Sequence, residues 1–425
     1  MAVTGAEYLL AGKYQLIHDS AYNAADWSSD VLSITGCDDG NLAWENGVLT
    51  LTCTNAWNQA AEDGATISSI AGNLVVMGGA GIIFNGVLSV DAAQQGQGHL
   101  IIDSGVAYLE QGANVEGNVV FTGTQQADRT LVAEVDTSLN CVVLATAQSE
   151  SSSIEVSNGQ EVELASVAGT GSLTKDGAGT LTHTGESTGV QGNLVVNEGK
   201  LLNSGTLAFD KIELNGGQLE NQGTITGVEI NGGILSGSGV FGGLTMKAGQ
   251  LVVGNSPGFQ QYTDALRAEG GELVFSVGGV AEAATSTCKG WESTVYSNID
   301  MGGNELHLGA DTTLTIAMGG SMLENLTGDF SMVLFSNVGN IDSFTDGVLA
   351  TLLENTRFIV TDEEAGVREG WEAGADLSSL VQNVAYSVSG TSLVLSGQFA
   401  AVPEPATATL SLLALAGLVM RRRRR

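Results

Sequence analysis

Gly199-Lys-Leu-Leu-Asn-Ser-Gly205-Thr-Leu, Gly217-Gln-Leu-Glu-Asn-Gln-Gly223-Thr-Ile and Gly233-Ile-Leu-Ser-Gly-Ser-Gly239-Val-Phe are one unit written three times, and Gly249-Gln-Leu-Val-Val begins a fourth. The step from Gly199 to Gly217 is slightly longer than the two that follow, from Gly217 to Gly233 and from Gly233 to Gly249, which are equal. Ahead of these glycines, Ile212-Glu-Leu-Asn-Gly-Gly217 matches Val228-Glu-Ile-Asn-Gly-Gly233 at that same constant offset. Apolar and polar residues alternate within each unit, which is the period of a strand. Glycines at fixed offsets mark where the strands turn corners. A unit this short cannot enclose a core, but stacked units can, pairing strand on strand at about 4.8 Å and burying a column of Leu, Ile and Val. The spacing therefore predicts an all-β chain with a parallel β-helix body, in which Ile212, Leu214, Val228 and Ile230 face inward. Residues 169–258 make roughly five coils, about 25 Å of rod at that spacing. A β-sandwich of antiparallel hairpins is the alternative that a repeat of this length also describes.

Composition agrees with many short strands joined by tight turns. The 425 residues include 59 glycines but three prolines, with 43% hydrophobic and 5% aromatic residues and a mean hydropathy of +0.16. Such a chain is neither collagen-like nor disordered. The formal charge is −32, and five of the fifteen basic residues are Arg421 to Arg425, so residues 1–420 carry −37. A body this acidic repels nucleic acid, which is excluded as a partner. No calcium-loop pattern occurs among the acids, and Cys37, Cys53, Cys141 and Cys288 lack zinc spacing, so neither a metal nor a cofactor is expected. Cys37 and Cys53 are near enough to form a disulfide, or they serve as small buried hydrophobes.

The far C-terminus has a different logic. Val402-Pro403-Glu404-Pro405 is followed by the uncharged residues 406–420 and then by Arg421, Arg422, Arg423, Arg424 and Arg425. Fifteen helical residues span about 22 Å, short for a permanent membrane crossing but tolerable where the bilayer thins. The arginines act as a cytoplasmic stop that leaves everything before Pro403 outside. Pro403 and Pro405 keep the junction extended and open to an enzyme. This order of motif, apolar helix and arginine cluster resembles the PEP-CTERM sorting signal. The resemblance implies an exosortase-type sorting enzyme as partner, attachment to the membrane through residues 406–420, and a Gram-negative host that makes exopolysaccharide. Residues 1–20 hold Glu7, Lys13, His18 and Asp19 and no apolar export segment, so the expected export needs a signal from a different start, a trimmed leader or another route.

A second resemblance covers the glycine-rich stretch 169–258. Gly169-Thr-Gly-Ser-Leu-Thr-Lys175-Asp-Gly-Ala-Gly-Thr-Leu-Thr, followed by Gly192-Asn-Leu-Val-Val-Asn-Glu-Gly199, is similar to the autotransporter-associated β-strand repeat, and Gly254-Asn-Ser-Pro-Gly258 to the turn that closes such stretches. It implies a passenger-like β-helical body; no outer-membrane barrel pattern follows in the sequence. The organisation expected is an N-terminal cap over 1–60, less regular coils over 61–168, the glycine-rich repeats over 169–258, a C-terminal β region over 259–400 with a short helix between the acidic run at 362–364 and Leu380, and the sorting tail over 401–425.

Several patterns look catalytic. Gly185-Glu-Ser187-Thr-Gly189 and Gly254-Asn-Ser256-Pro-Gly258 fit G-x-S-x-G, yet both fall among β-repeats with no helix to follow, as a nucleophile elbow needs. Gly237-Ser-Gly239-Val-Phe-Gly242 fits a dinucleotide fingerprint in the same setting. His18, His99, His183 and His307 are read as surface or turn residues. No catalytic residue is assigned. The expected role is a surface structural or adhesive protein that meets exopolysaccharide or another glycan; the alternative is a glycan hydrolase with two carboxylates on the same scaffold.

Overall fold

A computed structural model describes residues 62–91, 96–123, 127–254, 258–277, 296–318, 328–361 and 372–399, together with the backbone of six short strands before residue 61. The chain divides into two compact units, residues 1–249 and 250–425, so the boundary falls inside the glycine-rich segment.

In the first unit the strands from Asn58 onward pair almost entirely in parallel, each coil lying on the one before. One inward column can be followed rung by rung: Ile82, Ala107, Leu131, Ile154, Lys175, Val196, Leu214, Ile230 and Met246. All of them are fully buried. The step from Ile82 to Ala107 is the longest, and those from Leu214 to Ile230 and from Ile230 to Met246 are the shortest, so the coils shorten along the chain. Ile212 pairs with Val228 and Leu214 with Ile230, all four buried, as the repeat predicts. Parallel registers of this kind rule out the antiparallel sandwich for these coils.

The repeat glycines are explained by contact between coils. Gly199, Gly217 and Gly233 all adopt φ between 61° and 74°. A side-chain carbon on Gly217 would sit 2.5 Å from the Gly199 carbonyl oxygen, and one on Gly233 2.6 Å from that of Gly217. Both the left-handed backbone and the close approach exclude other residues.

The second unit also begins as a parallel ladder. Leu266–Val277, Leu306–Met318 and Thr356–Val360 stack so that Phe275, Ile316 and Phe358 form one buried column and Val277, Met318 and Val360 another. Then the pattern changes: Gly328–Ser336 and Val381–Ser389 flank Ser392–Phe399 in antiparallel register. Among the described residues this unit has one α-helix, Asp346–Glu354, with Thr345 at its N-cap and Asp346 in its first turn. It lies ahead of the stretch expected to hold one, of which residues 362–371 lie outside the described residues and the remainder carries a 3-10 turn at Ser378–Leu380. The helix escapes sequence reading because Asp346-Gly-Val-Leu-Ala-Thr-Leu-Leu-Glu354 is short and carries a glycine in its first turn that weakens the pattern. No helix among the described residues is long and apolar enough to cross a membrane.

Candidate functional site

The expected sorting motif Pro403-Glu404-Pro405, residues 406–420 and Arg421 to Arg425 lie outside the described residues, as do Ser256, Cys37 and Cys288. Cys53 ends the strand Val48–Cys53, and Cys141 is a free, half-buried thiol.

Of the catalytic-looking patterns, one acquires real geometry. Ser187 lies in the strand Glu186–Val196 rather than in a turn, and His183 ends the strand Thr180–His183. Both side chains are buried, which corrects the surface or turn placement expected of His183. His183 Nε2 is 2.8 Å from Ser187 Oγ, and His183 Nδ1 is 2.8 Å from Asn203 Oδ1. Asn203 Nδ2 donates to the carbonyl oxygen of Gly205 at 3.1 Å and to Asn221 Oδ1 at 2.8 Å, so its Oδ1 is the acceptor toward the imidazole. Nδ1 of His183 therefore carries the proton, and Nε2 accepts from the Ser187 hydroxyl. Burial lowers the His183 pKa below the usual value, against the raising effect of the Asn203 contact.

The connectivity Ser–His–Asn is that of a nucleophile relay, but its surroundings are not. Ser187, His183 and Asn203 are 1%, 1% and 0% exposed, inside the coil stack. Ser187 Oγ also accepts the Val167 amide at 2.6 Å from the neighbouring coil. A nucleophile needs a substrate carbon within reach and donors aimed at the developing oxyanion; here the hydroxyl is enclosed and its bonding capacity is taken up by the coil beneath. The group is a polar ladder. Register puts Leu164, His183, Asn203 and Asn221 in one inward column, and Asn221 Nδ2 closes it on the Val240 carbonyl at 3.0 Å. Sequence reasoning missed Asn203 and Asn221, although the steps from His183 to Asn203 and from Asn203 to Asn221 are each one coil long and could have linked them.

Lys175 is the one charged rung of the long apolar column. Its ammonium donates to three carbonyls, Asp176 and Gly177 at 2.7 Å and Glu198 at 3.2 Å, which uses all three of its protons. Burial pulls its pKa down to about 8, against the raising effect of Asp176, Glu198 and Glu155. His99 is half-buried and also lowered by burial, and its Nδ1 accepts the Asn118 amide at 2.8 Å. His307 is exposed beside Glu305 at 3.0 Å, as a surface residue should be.

The outer surface carries ordered rows of its own. Lys211 bridges Glu213 at 3.2 Å and Glu229 at 3.0 Å, and Lys247 meets Glu229 at 2.7 Å. The Lys247 and Lys211 bonds hold Glu229 down at about 2. Asn197, Asn215 and Asn231 form an exposed amide ladder at 3.2 and 3.0 Å. In the second unit Glu272, although desolvated, is held low by Thr315, Arg357 and Gln250. Among the described residues every carboxylate with a shifted pKa is shifted down, by lysine, arginine, histidine, amide or hydroxyl partners. A glycosidase acid needs the opposite, a carboxyl raised toward neutrality. No group of three potential metal ligands occurs among the described residues.

No protein-family model, curated protein or solved structure matches the chain.

Proposed function

We propose that this chain is an exported surface protein of a Gram-negative cell, with a structural or adhesive β-repeat body delivered by an exosortase-type enzyme acting on its C-terminal tail. The observation that carries the sorting half is the order Pro403-Glu404-Pro405, apolar 406–420, Arg421 to Arg425 at the end of an otherwise acidic chain. Attachment to the membrane through 406–420 precedes cutting near the motif, and exopolysaccharide or a related glycan is the partner of the long β faces. What supports a structural body is how the stack uses its polar groups. Ser187, His183, Asn203 and Lys175, the side chains best suited to chemistry, are occupied in holding one coil to the next. On this reading the antiparallel strands Gly328–Ser336, Ser392–Phe399 and Val381–Ser389 serve as a C-terminal cap, since a change to antiparallel pairing ends a parallel stack.

A two-carboxylate hydrolase is the competing reading, and the lowered carboxylates argue against it. The test is deletion of residues 403–425 in an exosortase-bearing host. The shortened chain should leave the membrane fraction for the periplasm or medium. Identical fractionation of the two forms would defeat the sorting proposal.

A further inference from the structure

Most strands of the first unit alternate buried and half-exposed residues, as Thr206–Leu214 does. One stack departs from this. Leu74-Val75-Val76, Leu100-Ile101-Ile102 and Val119-Val120-Phe121 are unbroken apolar runs buried at every position and stacked in parallel register, with the apolar run Val142-Val143-Leu144, half-buried at its middle residue, on the next rung. An unbroken run is the mark of a strand covered on both faces. Leu74, Leu100, Val119 and Val142 line the inside with Val76, Ile102, Phe121 and Leu144. The alternate column, Val75, Ile101, Val120 and Val143, therefore faces outward. Yet Val75, Ile101 and Val120 are only 5%, 1% and 2% exposed, and the one partly buried hydrophobic side chain packed against them among the described residues is Val143. The shielding stops abruptly: Val143 is half-buried, and Ala168, the next rung, is exposed.

Within the same unit, the three strands Gly12–His18, Val48–Cys53 and Asn41–Glu45 form a separate antiparallel sheet. Its register sorts the sequence cleanly by face. Tyr14, Leu51 and Leu42 make one cross-strand row, and Ile17, Leu49 and Trp44 make the row two positions along, so both belong to one face. The bulge between Gln15 and Ile17 keeps them there. The opposite face takes the rows Lys13, Thr52, Asn41 and Gln15, Thr50, Ala43. A three-stranded sheet with one wholly apolar face must cover that face to be stable.

We infer that the N-terminal sheet lies with the face of Tyr14, Ile17, Leu42, Trp44, Leu49 and Leu51 on the outer column Val75, Ile101 and Val120, bolstering the side of the coil stack. Two further observations favour this occupant. The sheet is tethered beside the column: only residues 54–57 separate Cys53 from Asn58–Ala60, the strand that pairs with Asn73–Val76 and puts Ala60 next to Val75. Five Cα steps reach at most about 17 Å. The sizes also agree, since three strands span about 10 Å and the shielded rungs Val75 to Val120 span about the same. The contact is lateral sheet-on-sheet packing, distinct from a cap over the end of the first coil.

The test uses the full chain with Cys37, Cys53, Cys141 and Cys288 changed to Ser. A thiol introduced as Ile101→Cys should react with a thiol reagent at least ~10-fold more slowly than one introduced as Ala168→Cys on the same column. Adding Leu49→Glu with Leu51→Glu should bring the two rates within about twofold, whereas Thr50→Glu with Thr52→Glu, on the other face, should leave the protection in place. Protection that survives Leu49→Glu with Leu51→Glu overturns the inference. So does protection lost on dilution, which would identify a second copy as the cover, or lost on removing residues 401–425 alone. A second variant approaches from the column: Val120→Glu should open residues 12–53 to protease while the coils stay resistant. If that segment remains as resistant as in the parent chain, the inference fails.

Discussion

Replacing Asn203 by alanine removes the central rung of the buried polar ladder. His183 Nδ1–H loses its acceptor and Asn221 Oδ1 loses its donor, in a place no water reaches. A buried polar atom left unpaired costs about 1–3 kcal/mol, so the two orphans together cost roughly 4 kcal/mol, against a total stability on the order of 5–15 kcal/mol for a domain. The outer ladder supplies the control. Asn215 bonds Asn197 and Asn231 in the same way but is exposed, and water replaces what Asn215→Ala removes, for less than about 1 kcal/mol. Both variants should be compared by denaturant unfolding and by hydrogen exchange at Leu201 and Leu219, because stacked coils open locally as well as globally. Equal costs for the two substitutions would refute the reasoning. The apolar replacement sharpens it: His183→Leu, Asn203→Leu and Asn221→Leu made together continue the column begun by Leu164 and should restore part of the stability that Asn203→Ala loses, the remaining cost being the Ser187 hydroxyl left without its His183 acceptor.

Ile230→Asp puts a charge in a fully buried rung and should cost several kcal/mol if it stays ionised, read as a large fall in melting temperature; an unchanged melt would contradict inward placement. Lys175 sits at about 8 in the fold against 10.5 as its ordinary value, so between those pH values the unfolded chain holds a proton that the folded chain has released. Stability should therefore rise with pH across that window, and Lys175→Met should flatten the rise in pH-dependent denaturation curves. Glu229 titrates the other way: held at about 2 rather than 4.5, it contributes stability above 4.5 that is lost as pH falls toward 2, and Glu229→Gln should remove that part of the acid limb.

How far the sequence could be read depends on how each feature is encoded. The register of Ile212 on Val228 and Leu214 on Ile230 was legible because a constant offset and glycine corners repeat within a short window. The earlier coils keep the same column through Ala107, Leu131, Ile154 and Lys175 but with longer and unequal turns, so their similarity is spread over changing loop lengths and no constant period marks it. Two-sided burial at Leu74-Val75-Val76 was written as an unbroken apolar run, but such a run is equally a strand of any buried kind until its register is known. His183 was misplaced for a related reason. A histidine shortly before a serine has no inward partner visible in sequence; only the coil length brings Asn203 beneath it. Ser187 shows the limit of motif reading, since Gly185 of its G-x-S-x-G belongs to a stack in which a side chain on Gly205 would meet the Gly185 carbonyl at 1.9 Å. The glycine serves coil contact and has nothing to do with an elbow.

The central claim is that this body is delivered to the cell surface by cutting its tail. Its most direct test is the intact mass of the chain recovered from the envelope of an exosortase-bearing, exopolysaccharide-producing host. The account predicts a single C-terminus at or beside Pro403-Glu404-Pro405, with residues 406–420 and the five arginines gone, and retention of the whole tail when the exosortase gene is deleted. A chain that ends at Arg425 in both hosts, in the same fraction of each, would contradict it.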